Sequence, residues 1–99
     1  MDQRRFLSML GLAVKAGKAV SGEFSTEKTV KEGRAKLVLI AGDSSENTKK
    51  KFSQMCEYYH VPFFIISDKE ALGRAMGKEQ RACLAVEDEG LANAIRGKM

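Results

Sequence analysis

The sequence predicts an α/β fold, a three-layer α/β/α sandwich around a mixed, mainly parallel four-stranded sheet. Three observations predict it. Apolar residues at helical spacing alternate along the chain with short apolar runs of strand length. The links between them are short, and no linker, internal repeat or low-complexity tail interrupts the order. At 99 residues with 43% hydrophobic side chains, the chain has the size and apolar content of one domain, residues 1–99. Strict alternation of helix and strand is satisfied when helices cover both faces of one sheet.

The first helix is expected to take Asp2 as its N-cap and Gly17 as its C′ residue. Phe6, Leu7, Leu10, Ala13 and Val14 form its apolar stripe. Polar Ser8 and Lys15 interrupt the apolar residues, which separates this segment from a signal peptide. Residues 18–21 suit a short edge strand, and a second helix from about 23 to 32 stops at Gly33. Residues 35–41, AKLVLIA, form a continuous apolar run, as in a strand covered on both faces. Ser44 or Ser45 caps a third helix that turns Phe52, Met55, Cys56 and Tyr59 inward, with the lysines at 49–51 mostly off that face. Residues 61–66 read as a second buried strand, with Pro62 at its start. Ser67 and Glu70 have capping-box spacing, and the helix they open carries Ala71, Leu72, Ala75 and Met76 before Gly77. Residues 82–86 are the last core strand, and Asp88 caps a final helix with Leu91, Ala94 and Ile95 inward. No run approaches the ~20 apolar residues of a membrane helix, so a cytoplasmic protein without membrane contact is expected, with a monomer as the default state.

Catalytic signatures are weak. Cys56 and Cys83 are far apart and lack zinc or redox spacing, so they read as buried structural thiols. His60 stands alone, without the companions a metal site needs. No G-x-S-x-G, P-loop or GxGxxG occurs. Asp43 follows the AKLVLIA strand, where a phospho-acceptor could sit, yet no acidic pair accompanies it to hold Mg²⁺, and a turn aspartate is the better reading. Ser21, Ser44, Ser45 and Ser67 have only His60 as a conceivable activator. These observations argue against an enzyme, a cofactor or a metal.

Charge is more informative. The net charge of +4 comes from 17 basic and 13 acidic residues, and the first 40 residues hold eight of the former and four of the latter. The remainder is balanced. Two readings stay open, a solvated surface and a basic face toward an anion such as nucleic acid. The second has a place to act. A helix starting near Gly22 presents free N–H groups and the positive end of its dipole, and glycine lets a backbone approach closely. Lys28, Lys31 and Arg34 follow. The loop Gly77, Lys78, Glu79, Gln80, Arg81 carries two more cations, and the topology can bring it to the same end of the sheet. Such a pair of segments is a two-part clamp for folded nucleic acid. Phe24 is its one obvious aromatic, too little for a single-strand stacking platform.

The stretches VKEGRAKLVLIAGDSSENTKKK, CEYYHVPFFIISDKEALGRAMGKE and ACLAVEDEGLANAI resemble the kink-turn RNA-binding family of large-subunit ribosomal proteins, closest to its small bacterial YlxQ- and YbxF-like branch. The resemblance covers nearly the whole chain. G-x-A-K-L-V, D-x-S-x-N-T-K-K, V-P-F and L-G-x-x-x-G-K carry it together. It implies a three-layer α/β/α sandwich that binds the bent kink-turn of RNA. In the family, Gly, Asn-Glu and Lys at the start of the second helix enter the major groove at tandem sheared G·A pairs. Gly22 and Lys28 match that pattern, whereas Phe24 stands in the Asn position and Ser25 in the Glu position. Phenylalanine offers guanine edges neither donor nor acceptor. The resemblance carries the family's second contact to Lys78, Glu79, Gln80 and Arg81. The resulting RNA-binding set is Gly22, Glu23, Phe24, Ser25, Lys28, Lys31, Lys36, Lys78, Glu79, Gln80 and Arg81, with Lys28, Lys36 and Arg81 as phosphate neutralisers. The implied partner is structured RNA, ribosomal RNA being one option. The alternative is a protein–protein module that keeps the fold with a degenerate RNA site.

Overall fold

A computed structural model describes residues 3–99. The order is α1 (Arg4–Lys15), β1 (Ala19–Ser21), α2 (Glu23–Lys31), β2 (Leu37–Ile40), α3 (Glu46–Tyr59), β3 (Phe63–Ile65), α4 (Lys69–Ala75), β4 (Cys83–Val86) and α5 (Glu89–Gly97). The sheet runs β1-β4-β2-β3. Central β2 and β4 are buried at every position, as their unbroken apolar runs require. Helices α1, α4 and α5 close one face through Phe6, Leu10, Leu72 and Ile95 against Leu37, Leu39, Leu84 and Val86. On the other face, α2 and α3 contribute Val30, Phe52 and Cys56 against Val38, Ile40, Cys83 and Ala85. Odd and even positions of β2 and β4 thus feed two cores, and the three-layer sandwich is confirmed.

Strand direction differs from expectation. β2 and β3 are parallel, but β4 pairs antiparallel with both β1 and β2. The cause is α4. This seven-residue helix rises only about 10 Å. The segment after it doubles back, with Lys78 N–H donating to Gly73 O (2.8 Å) and Arg81 N–H to Lys69 O (3.0 Å). The chain therefore enters β4 from the end at which β2 and β3 finish.

The second strand was expected to be buried, but β3 lies at the sheet edge with Phe64 37% and Ile65 49% exposed. Arg96 covers the Phe64 ring at 5.7 Å. Its partner edge, β1, is the edge strand expected. The cap of α4 is Asp68 rather than Ser67: the Asp68 carboxylate accepts from Ala71 N–H at 2.8 Å, while Ser67 takes a left-handed φ of 65°. Ser45 caps α3 and Asp88 caps α5, as expected. Gln3 occupies the N-cap of α1, and Asp2 falls outside the described residues. Gly17, Gly33 and Gly77 follow their helices with positive φ. Tyr59, expected inward, is 39% exposed, and Ala92 is buried beside Ile95 while Leu91 and Ala94 are half-buried.

Asp43 is a turn residue whose Oδ1 accepts from Lys69 N–H (2.9 Å). Cys56 and Cys83 are both buried, and burial pushes their thiols up to about 12 and about 11. Among the described residues no His, Cys, Asp and Glu cluster is arranged to hold a metal, and no helix is long and apolar enough to cross a membrane.

Candidate nucleic-acid interface

The C-terminal ends of β1 and β2 and the start of β4 share one end of the sheet. There Gly22 N–H donates to Cys83 O (2.9 Å) and turns the chain from β1 into α2. It does so at φ 93°, ψ 161°, a backbone conformation that suits glycine alone. A Cβ at Gly22 would touch nothing within 4 Å, so the requirement is conformational and the space in front is open. No side chain caps α2. Helix geometry therefore leaves the N–H groups of Glu23, Phe24 and Ser25 without intrahelical partners at the positive end of the dipole. Thr26, Thr29 and Val30 anchor the opposite side of the helix in the core. That orientation leaves Phe24 81% exposed and Lys28 exposed one turn later, with no ion pair among the described residues.

Gly77, Lys78, Glu79, Gln80 and Arg81 line an open concavity of about 740 Å³. Their loop lies tightly on α4. A Cβ at Gly73 would fall 1.5 Å from Glu79 O, so only glycine permits that approach. Arg81 is half-buried; its Nε–H donates to Ser21 Oγ (3.2 Å) and its Nη1–H to Gln80 O (2.9 Å). The guanidinium thus ties the loop to the residue before Gly22. The β2–α3 turn and the first turn of α3 join them, with the Ser44 hydroxyl donating to Ala82 O (3.1 Å) and the Thr48 hydroxyl to Glu23 Oε2 (3.5 Å).

The structure accordingly brings together Gly22, Glu23, Phe24, Ser25, Lys28, Lys78, Glu79, Gln80 and Arg81. It does not bring Lys31 and Lys36 to the same place. Lys31 is in the last turn of α2, roughly 13 Å along the helix from Gly22, and pairs with Glu27 at 2.7 Å. Lys51 holds the same carboxylate at 2.9 Å. Lys31 and then Lys51 keep Glu27 well below the usual carboxylate range, at about 2. Lys36 stands before β2, its N–H donating to Val86 O (2.7 Å), and so occupies the opposite end of the sheet, lining a depression with Gly33, Pro62 and Glu89. Both corrections have one origin: a helix or strand length separates neighbours in sequence from neighbours at one sheet end. The close approach at Gly73, and the contacts of Ser44 with Ala82 and of Thr48 with Glu23, escaped the sequence reading, although the Ser44–Ser45 turn itself was expected. The glycine inside an otherwise helical pattern was the available signal for the first.

The model of the Ribosomal protein L7Ae/L30e/S12e/Gadd45 family matches residues 4–96. The RNA-binding protein YlxQ of Bacillus subtilis (strain 168) is 44% identical over 95 residues, covering 96% of this chain and 95% of that one. The protein of the same name from Enterococcus faecium is 34% identical over 96% and 91% of the two chains. Among solved structures, a protein of unknown function from Bacillus halodurans C superposes with a TM-score of 0.90 at 34% identity, covering 95% of both chains. The Giardia lamblia 15.5kD RNA binding protein gives 0.80 at 24% identity over 96% and 82%, a likeness of fold.

Proposed function

The chain belongs to the Ribosomal protein L7Ae/L30e/S12e/Gadd45 family, and from that premise we propose that it is a non-catalytic RNA-binding protein that grips kink-turn-like structured RNA between the start of α2 and the loop at 77–81. The observation that carries the reading is the convergence of these two segments: an uncapped helix start with open space in front of Gly22 stands beside a polar loop held to it by Arg81. Relatives named as RNA-binding proteins support it. The N–H groups at Glu23, Phe24 and Ser25 offer donors to phosphate, and Lys28 neutralises charge beside them. Phe24 packs its ring on an exposed base rather than hydrogen-bonding a guanine edge. We read the protein as a cytoplasmic monomer with ribosomal RNA among its candidate targets.

A gel shift with a kink-turn duplex, a matched duplex lacking the G·A pairs, and two salt concentrations tests this. The expected result is selective, salt-sensitive binding, with Lys28→Ala lowering the slope of log K on log salt by about one. Equal binding to both duplexes would overturn kink-turn selectivity. The second reading, a protein-docking module, rests on the 81% exposure of Phe24. It is favoured if neither RNA shifts at micromolar protein.

A further inference from the structure

Most of the positive excess does not lie at the clamp. Residues 1–20 contribute Arg4, Arg5, Lys15 and Lys18 against Asp2 alone, whereas residues 21–40 set four cations against Glu23, Glu27 and Glu32. Of those four, Lys31 pairs with Glu27, and Arg34 with Glu32 and Glu87. Lys49, Lys51 and Arg74 also meet carboxylates. Helix α1 (Arg4–Lys15) carries no acidic side chain of its own. Its N-terminal turns meet the C-terminal end of α5, where Arg4, Arg5, Ser8, Met9 and Lys98 line one concavity of about 590 Å³. Arg5 and Lys98 are exposed and make no ion pair with the described residues. Because α1 packs Phe6, Leu10 and Ala13 onto the face of the sheet away from α2, this concavity belongs to the other helical layer.

We propose that the α1–α5 concavity is a second RNA contact, engaging the phosphate backbone of a segment other than the one held at α2. The inference rests on the reading of the chain as an RNA binder. Arg5 and Lys98, more than 90 positions apart, converge without a carboxylate side chain among the described lining residues, and Ser8 adds a hydroxyl donor. That set fits phosphate, to which arginine donates bidentately. The described lining residues include no aromatic and no amide side chain to read a base, so the contact is independent of sequence. Gly22 and Lys28 belong to the α2 layer, whereas the concavity lies between α1 and the end of α5. A protein held to one RNA segment at the start of α2 thereby offers phosphate contacts to a second.

The test loads the protein on an immobilised kink-turn RNA and adds a labelled duplex without the motif. Wild type should capture the duplex. A variant carrying both Arg5→Glu and Lys98→Glu should lose capture at least tenfold while holding the kink-turn RNA as before, with circular dichroism confirming its fold. Absence of capture by wild type, or equal capture by the variant, overturns the proposal. So does binding of anionic phospholipid vesicles in place of duplex. Should the kink-turn RNA not bind at all, the clamp reading falls separately. Direct titration of the motif-free duplex then decides the second site, with a tenfold loss on charge reversal supporting it and no loss overturning it.

Discussion

Arg81 shows how one side chain changes role once its surroundings are known. In sequence it is a cation in a polar loop, and a phosphate contact is the natural reading. In the structure two of its guanidinium nitrogens are engaged, on Ser21 Oγ and on Gln80 O. It therefore positions the loop against the start of α2. A double-mutant cycle separates the two roles. Ser21→Ala and Arg81→Ala should each weaken kink-turn binding about fivefold, on the order of 1 kcal/mol, and the double variant little more than Arg81→Ala alone. Strict additivity would return Arg81 to the phosphate-contact role. Gly73 makes a sharper case. The oxygen a Cβ would strike is backbone, 1.5 Å away, and cannot swing aside as a side chain does. Gly73→Ala should cost about 1–3 kcal/mol in denaturant unfolding and displace the loop, with a parallel loss of RNA affinity. Unchanged stability would mean that the loop moves freely off α4. Gly22, Lys28 and the loop cations were legible in sequence because each needs only its own residue type and a helix or turn beside it. Arg81's partner was not, since Ser21 is 60 residues away and no local pattern announces it.

At the scale of elements, α2 and α3 are joined through Glu27, which accepts from Lys31 on its own helix and Lys51 on the next. Its folded-state pKa of about 2 lies below the ordinary 4.5. A depressed carboxylate contributes stability that is fully present above the unfolded value and is lost as pH falls through the folded one. Wild type should accordingly melt above Glu27→Gln at pH 7, and the gap should close between about pH 5 and pH 2. A gap independent of pH would show that packing, not charge, holds the two helices. The same scale explains which elements the sequence revealed. Apolar runs at 35–41 and 82–86 became central strands because both of their faces are covered. The run at 61–66 looks the same in sequence, yet β3 has a neighbour on one side only and leaves Phe64 and Ile65 half open. Periodicity registers hydrophobic content, and edge or centre is decided by strand order, which is non-local. Ser67 lost the α4 cap to Asp68 for a local reason: Asp68 is extended at φ −141°, as an N-cap residue should be, and Ser67 is left-handed.

For the whole molecule, one sheet serves two cores. β2 and β4 send alternate side chains to each face, so neither helical layer can detach without uncovering the strands that support the other. The antiparallel β4 was invisible in the alternation of elements, because that pattern fixes their order and not where a short helix returns the chain. Yet its position between β1 and β2 is what makes the two cores share their central strands. Cooperativity of this kind has a built-in reporter. Cys56 on α3 and Cys83 on β4 both lie in the core beneath α2 and α3, fully buried, with thiols pushed up to about 12 and about 11. Thiolate is the form that reacts with alkylating reagents, so at pH 8 neither sulfur should be modified in the folded protein. As denaturant is added, both should become reactive together, with the midpoint at which helical circular dichroism is lost. Cys56 reacting at lower denaturant than Cys83 would mean that α3 opens as a separate unit, and the RNA clamp proposed at the head of α2 would then rest on a layer able to move independently of the sheet.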